Sequence, residues 1–197
     1  MRRWLKDMAT RNHERERLLT IDEYLAVEKD SPVRHEYVGG ELVAMAGASD
    51  RHNRVAGNIY ALLWPALRGG PCRIYMSDMK MQISDDQIFY PDVMVTCDPE
   101  DNGEYIKKRP CLIIEVLSPS TVSIDRREKL VAYRRIESLQ AYIVLYQDQK
   151  RAFRHARDEH GTWWPAEVSD KGLVPFPCPE LELSLDEIYE GIDFRSP

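Results

Sequence analysis

No stretch of this sequence approaches the roughly 20 apolar residues that a membrane-spanning helix needs, so no membrane role is expected. Its four cysteines, Cys72, Cys97, Cys111 and Cys178, form no CxxC pair, and none has a histidine at zinc-finger spacing. That pattern argues against a structural zinc site and for free, buried or half-buried thiols in a reducing cytoplasm. Positive charge is not in excess either: 33 acidic against 27 basic side chains give a formal net charge of -6. Phosphate contacts dominate affinity for nucleic acid. A chain of this charge therefore meets DNA through a local basic surface or weakly. The basic start, MRRWLKDM, has no apolar run behind it, so it does not read as a signal peptide, and a cytoplasmic location is expected. No internal repeat and no long linker interrupts the chain.

What remains is an ordinary globular composition, 43% hydrophobic and 30% charged over 197 residues. That suits one domain with a sizeable core. Residues 1–19 are polar and show no clean apolar face, and are expected to be a flexible extension. Residues 20–197 are expected to form a single domain. Thr20 and Glu23 have the spacing of a capping box at a helix start, and Ser31-Pro32 ends that helix. Glu36 to Met45 reads as a hairpin turning on Gly39-Gly40. From Asp50 to Leu67, Val55, Ile59, Leu62, Leu63 and Ala66 recur at helical spacing, capped by Ser49 or Asp50 and stopped by Gly69-Gly70-Pro71. Strands are expected at 73–76, 80–83, 88–95, 111–117 and 141–146, and further ones near 152–156 and 162–168. A helix is expected from Ser123 or Asp125 to about Glu137, a loop over Gly172 to Pro179, and a short final helix at Leu185 to Tyr189. The order of elements gives an α/β (α+β) fold, a central mixed β-sheet of about five or more strands flanked by helices.

Two acids stand out because of where they lie. Cys111 to Leu117 is an almost wholly apolar run of the kind found in strands covered on both faces, and Glu115 interrupts it. An ionised carboxylate away from water is costly unless a cation or several donors compensate it. The alternative is that Glu115 faces solvent at the strand end or pairs with an arginine. Asp92 breaks Phe89 to Val95 in the same way, with Pro91 before it marking a strand start or edge. Asp125, Lys129 and Tyr133 follow at i, i+4 and i+8 and share one helical face; a surface ion pair explains the first two equally. Together, two carboxylates on neighbouring strands and a lysine close behind suit phosphodiester hydrolysis. The carboxylates hold a hard divalent cation through oxygen. The cation lowers the pKa of a bound water, and the lysine orients or deprotonates that water or stabilises developing charge.

Pro91-Asp92 followed by Glu115-Val116-Leu117 resembles the PD-(D/E)XK nuclease motif. The wider text resembles the Uma-two restriction-endonuclease family within that superfamily. The matching stretches are His35 to Leu42, Ser77 to Lys80, Tyr90 to Val93, Ile114 to Thr121, Asp125 to Leu130, Tyr133, and Leu139 to Tyr142. The resemblance covers roughly residues 20 to 192, and EVLSPST with DRREK after it is its most specific part. It implies a restriction-endonuclease-like core and a Mg2+-dependent endonuclease, Mn2+ also serving, that cuts DNA. In the superfamily pattern the lysine stands two residues after the acid, where this chain has Leu117. In the family the lysine has moved to the next helix, and Lys129 is the matching position.

The resemblance makes Asp92 and Glu115 metal ligands, the Val116 carbonyl a third, and Lys129 the group that assists the water. Glu36 matches an acidic position ahead of the core motif and is expected to support the site; Glu41 is a weaker candidate. His52, at the start of the long helix, has a place suited to an anionic ligand. Asp78 and Lys80, two apart on an expected strand face, are candidates to line the site with Tyr133, as is Gln82. Lys107-Lys108-Arg109, Arg126-Arg127 and Arg134-Arg135 are the basic patches available to DNA phosphates, although surface charge runs are usually solvation alone. Trp163-Trp164 is expected to pack in the core or a dimer surface. A homodimer is expected because duplex DNA has two strands to cut. Two other readings share these residues: a non-catalytic nucleic-acid-binding or regulatory protein on the same fold, and a phosphohydrolase or nuclease acting on other substrates such as RNA.

Overall fold

The computed structural model describes residues 17–117 and 125–195, and the backbone alone for 125–127. The expected extension therefore lies outside the described residues as far as residue 16. So do the start of the third helix before Asp125 and the stretch Ser118 to Thr121. The chain folds as two compact units, one running to Met45 and including Asp85–Gln87, the other comprising Ala46–Ser84 and the chain from Ile88 onward.

In the first unit, helix α1 (Ile21–Asp30) begins where the capping box was expected. The Glu23 backbone N–H donates to Thr20 Oγ1 at 3.3 Å and the Thr20 N–H donates to Glu23 Oε2 at 2.8 Å, which satisfies two helix-end donors reciprocally. Strands β1 (His35–Val38) and β2 (Glu41–Ala44) pair antiparallel, with Val38 opposite Glu41. The two-residue loop between them needs positive φ at both positions. Gly39 and Gly40 supply it at +60° and +95°. A Cβ on Gly40 would stand 2.6 Å from the Leu18 Cβ, so the turn excludes larger residues there. Tyr24 of α1 stacks on Tyr37 of β1 at 5.0 Å and donates its hydroxyl to the His35 carbonyl at 2.8 Å. One turn on, the buried carboxylate of Glu28 lies 3.0 Å from both the His35 backbone N–H and its ring Nδ1. Those contacts compensate a charge that burial would otherwise make costly.

The second unit is built on a long helix, α2 (Asp50–Leu67), capped by Ser49, whose Oγ accepts from the His52 N–H at 3.1 Å. The strands are β3 (Arg73–Met76), β4 (Lys80–Ser84), β5 (Gln87–Phe89), β6 (Val93–Thr96), β7 (Ile106–Lys107), β8 (Pro110–Leu117), β9 (Ala141–Tyr146), β10 (Arg151–Arg157), β11 (Trp163–Ser169), β12 (Leu173–Pro177) and β13 (Glu180–Ser184). Helix α3 (Asp125–Tyr133) follows β8, and α4 (Leu185–Ile188) follows β13. Among the described residues β11-β10-β9-β8-β6-β3 form a six-stranded sheet. It is mixed as expected: β8 and β9 run parallel, and every other pair in it is antiparallel.

All eight residues of β8 and all six of β9 are buried, the pattern of central strands covered on both faces. Val55, Ile59, Leu63 and Leu67 of α2 join Leu112, Ile114, Val116, Ile143 and Leu145 in one apolar cluster. The opposite residues of β8 include Glu115, because side chains alternate across a strand. Aromatic rings belong to the same part of the unit: Tyr133 of α3 meets Phe89 edge-on at 5.8 Å and Tyr142 at 5.0 Å.

Four expectations need correction. The strand expected over 88–95 is two strands, because the chain breaks at Tyr90-Pro91-Asp92, where proline has no N–H for a ladder. The expected loop over 172–179 is largely β12, paired with β13 as a two-stranded sheet. Prolines are tolerated there because each strand leaves one side unpaired. Helix α3 ends at Tyr133, short of Glu137. The four cysteines, expected as free thiols, are joined as Cys72–Cys97 and Cys111–Cys178.

Candidate active site

The antiparallel register of β6 and β8 sets the site. Val93 stands opposite Ile114, so one further step along the two chains brings Asp92 opposite Glu115. Pro91 ends the ladder there and leaves the Asp92 side chain at its open end. The Asp92 Oδ2 accepts the Val116 backbone N–H at 2.7 Å, which ties the acid to the next residue of β8. Its own carbonyl accepts the Ser77 N–H at 3.1 Å. Asp92 keeps 16% of its side-chain surface open to solvent, whereas Glu115 keeps 9%.

Lysine reaches this point from the helix, not from the strand. Lys129 Nζ is 3.5 Å from Glu115 Oε1, with only 12% of its side chain exposed. It also lies over the Phe89 ring at 5.3 Å. One helical turn further, the buried Tyr133 hydroxyl donates to the same Glu115 oxygen at 2.7 Å. Lys129 and Tyr133 are four apart, so one helical face presents an ammonium and a phenol to one carboxylate. Leu117 contributes no charge, and its position carries no lysine. The side chain of Asp125 on that face lies outside the described residues.

His52 closes the site from the start of α2. Its Nε2 is 3.2 Å from Asp92 Oδ2. Burial alone would lower the His52 pKa, but the hydrogen bond to Asp92, the charges of Asp92 and Glu115 and the Val116 carbonyl together outweigh it, and the net shift is upward. The imidazole is thus held toward its cationic form by the oxygens that surround it. The amino end of a long helix adds partial positive charge in the same place. Ser49, the cap of that helix, donates its hydroxyl to Gln147 Oε1 at 2.6 Å. Gln147 follows β9 and is 8% exposed. Sequence reasoning missed Gln147. Its signal was a polar residue closing a wholly apolar strand whose parallel neighbour carries Glu115.

Other candidates are placed as follows. Glu36 is buried on β1 opposite Val43, in the first compact unit. Glu41 is exposed on β2. Asp78 lies in the exposed turn ahead of β4, so it does not share a strand face with Lys80 as expected. Lys80 stands on β4 with its Nζ 5.6 Å from the centre of the Tyr90 ring, two residues before Asp92. Gln82 donates to the Ser84 carbonyl at 3.2 Å.

The expected basic patches are partly spent inside the molecule. Lys107 is buried and donates to the Asp101 and Gly103 carbonyls at 3.0 and 2.7 Å. Arg109 is bound to Asp98 and Glu100 at 2.9 and 3.0 Å. Arg134 and Arg157 lie over the ring of Trp163, which is half-buried. Trp164 is 61% exposed and donates its indole N–H to Asp158, so of its two expected places, core or dimer surface, the core does not hold it. Side chains of Arg126 and Arg127 lie outside the described residues.

Oxygen donors thus converge with one amine and one imidazole. Two carboxylates opposite each other, with the Val116 peptide next in the chain to Glu115, make a donor set suited to a hard divalent cation. The residues present therefore fit such a metal.

Comparison with known proteins agrees with this architecture. The Uma2 (Uma-two) family model, described as "Putative restriction endonuclease", matches residues 21–187. Two uncharacterized proteins of Synechocystis sp. are similar along almost their whole length. One, slr1290, is 34% identical over 179 residues, covering 89% of this chain and 94% of its own. The other, sll1609, is 37% identical over 176 residues, covering 87% and 96%. A crystal structure from Anabaena variabilis, described as a "putative nuclease belonging to DUF820", superposes with a TM-score of 0.70 at 18% identity. It covers 87% of this chain and 97% of that one, a likeness of fold. No described helix is long and apolar enough to cross a membrane.

Proposed function

Since the chain belongs to the Uma2 family, whose model is described as "Putative restriction endonuclease", we propose that it is a metal-dependent endonuclease hydrolysing phosphodiester bonds in DNA. The observation that carries this reading is the placement of Lys129 Nζ 3.5 Å from Glu115, on a strand whose Val116 N–H binds Asp92. A lysine that has left the strand still arrives beside the second acid. A surface ion pair on α3, the bland account of that helix, would not bring it there.

Asp92, Glu115 and the Val116 carbonyl would hold Mg2+, or Mn2+ in its place. Such an ion supplies an acidified water and offsets charge on the phosphate. Tyr133 and Lys129 fix the direction of the Glu115 carboxylate. Lys129, a short reach from Glu115, orients the attacking water and stabilises the charge that develops on the phosphate oxygens. His52, at the positive end of α2, binds the anionic backbone of the substrate. Ser49 and Gln147 are positioning residues that set the start of α2 and so the direction of His52. Lys80 and the exposed Asp78 flank the approach to Asp92. A supporting role for Glu36, which lies in the first unit, rests on the family resemblance alone, and a homodimer supplies a second site for the second strand.

The test is incubation of supercoiled plasmid with purified protein and Mg2+ or Mn2+. Nicking is expected with the wild type, and not when the metal is chelated. Asp92→Ala, Glu115→Ala and Lys129→Ala are each expected to lose it while keeping a native circular-dichroism spectrum. Unchanged nicking in all three variants overturns the proposal. Absence of nicking in the wild type with retained DNA binding would instead favour a binding protein on this fold.

A further inference from the structure

Four cysteines widely separated in the sequence meet at one place in the second unit. Cys72 directly precedes β3 and Cys97 directly follows β6. These strands pair with Arg73 opposite Thr96, so the next step outward brings the two cysteines together, with Cα atoms 3.9 Å apart. Cys111 is the second residue of β8, beside the irregularity where Thr96 pairs with Pro110. Cys178 lies between β12 and β13, and that hairpin brings it over the same strand ends. Across the two disulfides, Cys97 Sγ is 3.2 Å from Cys178 Sγ and 3.5 Å from Cys111 Sγ. The sulfurs of Cys72, Cys97 and Cys178 all lie within 4.8 Å of one another. Cys111 and Cys178 are buried, and the other two pack against the same apolar cluster.

We propose that these four sulfurs, when reduced, form a tetrathiolate zinc site separate from the carboxylate site. Zinc binds thiolate sulfur at about 2.3 Å in a tetrahedron, so neighbouring sulfurs stand roughly 3.8 Å apart. The two distances across the pairs, 3.2 and 3.5 Å, are both shorter than that edge, so opening the pairs lets the sulfurs move apart to it. The two bonded pairs must open, and Cys111, which stands outside the group formed by the other three sulfurs, must close on Cys72. Opening them takes four electrons and four protons from a thiol or phosphine reductant, giving four thiols from two disulfides. Binding of one Zn2+ then releases four protons and leaves a dianionic centre. The Arg73 guanidinium donates to the Gly70 and Cys72 carbonyls at 2.9 Å each, which fixes the backbone that carries Cys72. An all-sulfur donor set selects zinc over magnesium, which takes oxygen. No other acid or histidine is needed, and the residues contributed by β3, β6, β8 and the β12–β13 hairpin are tied at one point.

The test uses the full chain, reduced with a phosphine and exposed to Zn2+, then desalted. Elemental analysis is expected to find one zinc per chain in the wild type and in Asp92→Ala. Cys97→Ser and Cys178→Ser are expected to lose it. Because either serine variant can fail to fold, Co2+ is also loaded into the reduced wild type. It is expected to give the intense sulfur-to-metal absorption and tetrahedral visible bands of a thiolate-rich site. A reduced wild type that retains no zinc, or that shows Co2+ bands without sulfur charge transfer, overturns the proposal. Zinc lost in Asp92→Ala but kept in both serine variants overturns it as well, by placing the metal on carboxylates.

Discussion

The two ends of the β6–β8 pair carry opposite chemistry. At one end Asp92, just before β6, faces Glu115 near the close of β8. At the other, Cys97 just after β6 lies against Cys111 at the opening of β8. Asp92 and Cys97 are five positions apart, roughly 16 Å of extended chain. One end offers hard oxygen, an ammonium, a phenol and an imidazole held toward its cationic form, with part of Asp92 open to water. The other offers soft sulfur only, packed against the apolar cluster. The same two strands thus separate a place for chemistry from a place for cross-linking. Partly exposed groups with costly, well-compensated charges mark the first. Buried sulfurs from four segments mark the second.

Substitutions at the two ends should therefore fail in different ways. The largest effect is expected from Asp92→Asn, which keeps an oxygen for the Val116 N–H but removes the charge. Metal-dependent nicking should fall by about 10³-fold, while the urea midpoint stays nearly constant. Cys178→Ser should do the reverse. It should destabilise the chain by about 2–5 kcal/mol in urea unfolding, with the nicking rate per folded molecule unchanged. A loss of nicking in folded Cys178→Ser would mean that the two ends are not separate. Next comes Lys129→Ala, with a drop of about 10²-fold in nicking rate and little change in the metal concentration needed. Tyr133→Phe should be the mildest. Glu115 loses one hydrogen bond at 2.7 Å and keeps Lys129, so apparent Mg2+ affinity should weaken by about 10-fold. An effect of Tyr133→Phe larger than that of Lys129→Ala would make the phenol, not the amine, the principal partner of Glu115.

The comparison also shows what a sequence makes visible. The carboxylate end was legible because each acid interrupts an apolar run, and an unexplained charge in a buried strand is a local anomaly. The displaced lysine was legible only through family resemblance, since helical spacing fitted a surface ion pair equally well. The sulfur end was misread for a physical reason. Spacing along the chain reveals cysteine partners only when they are near in sequence, whereas these four are gathered by strand register and a hairpin, over separations of 25 and 67 residues between bonded partners. The same hairpin was hidden because Pro175 and Pro177 resemble loop signals, although each sits opposite a glutamate in β13. Lys107 looked like a surface cation, but its burial against two carbonyls depends on a loop closing around it. Gln147 and its bond to Ser49, 98 positions away, could not be read from either neighbourhood alone.

The central claim is that Asp92 and Glu115 hold a hard divalent ion. Calorimetric titration of Mg2+ or Mn2+ into the wild type, Asp92→Asn and Cys97→Ser tests it most directly. One binding event per chain is expected in the wild type and in Cys97→Ser, and none in Asp92→Asn. Binding of equal strength and stoichiometry in Asp92→Asn would contradict the account.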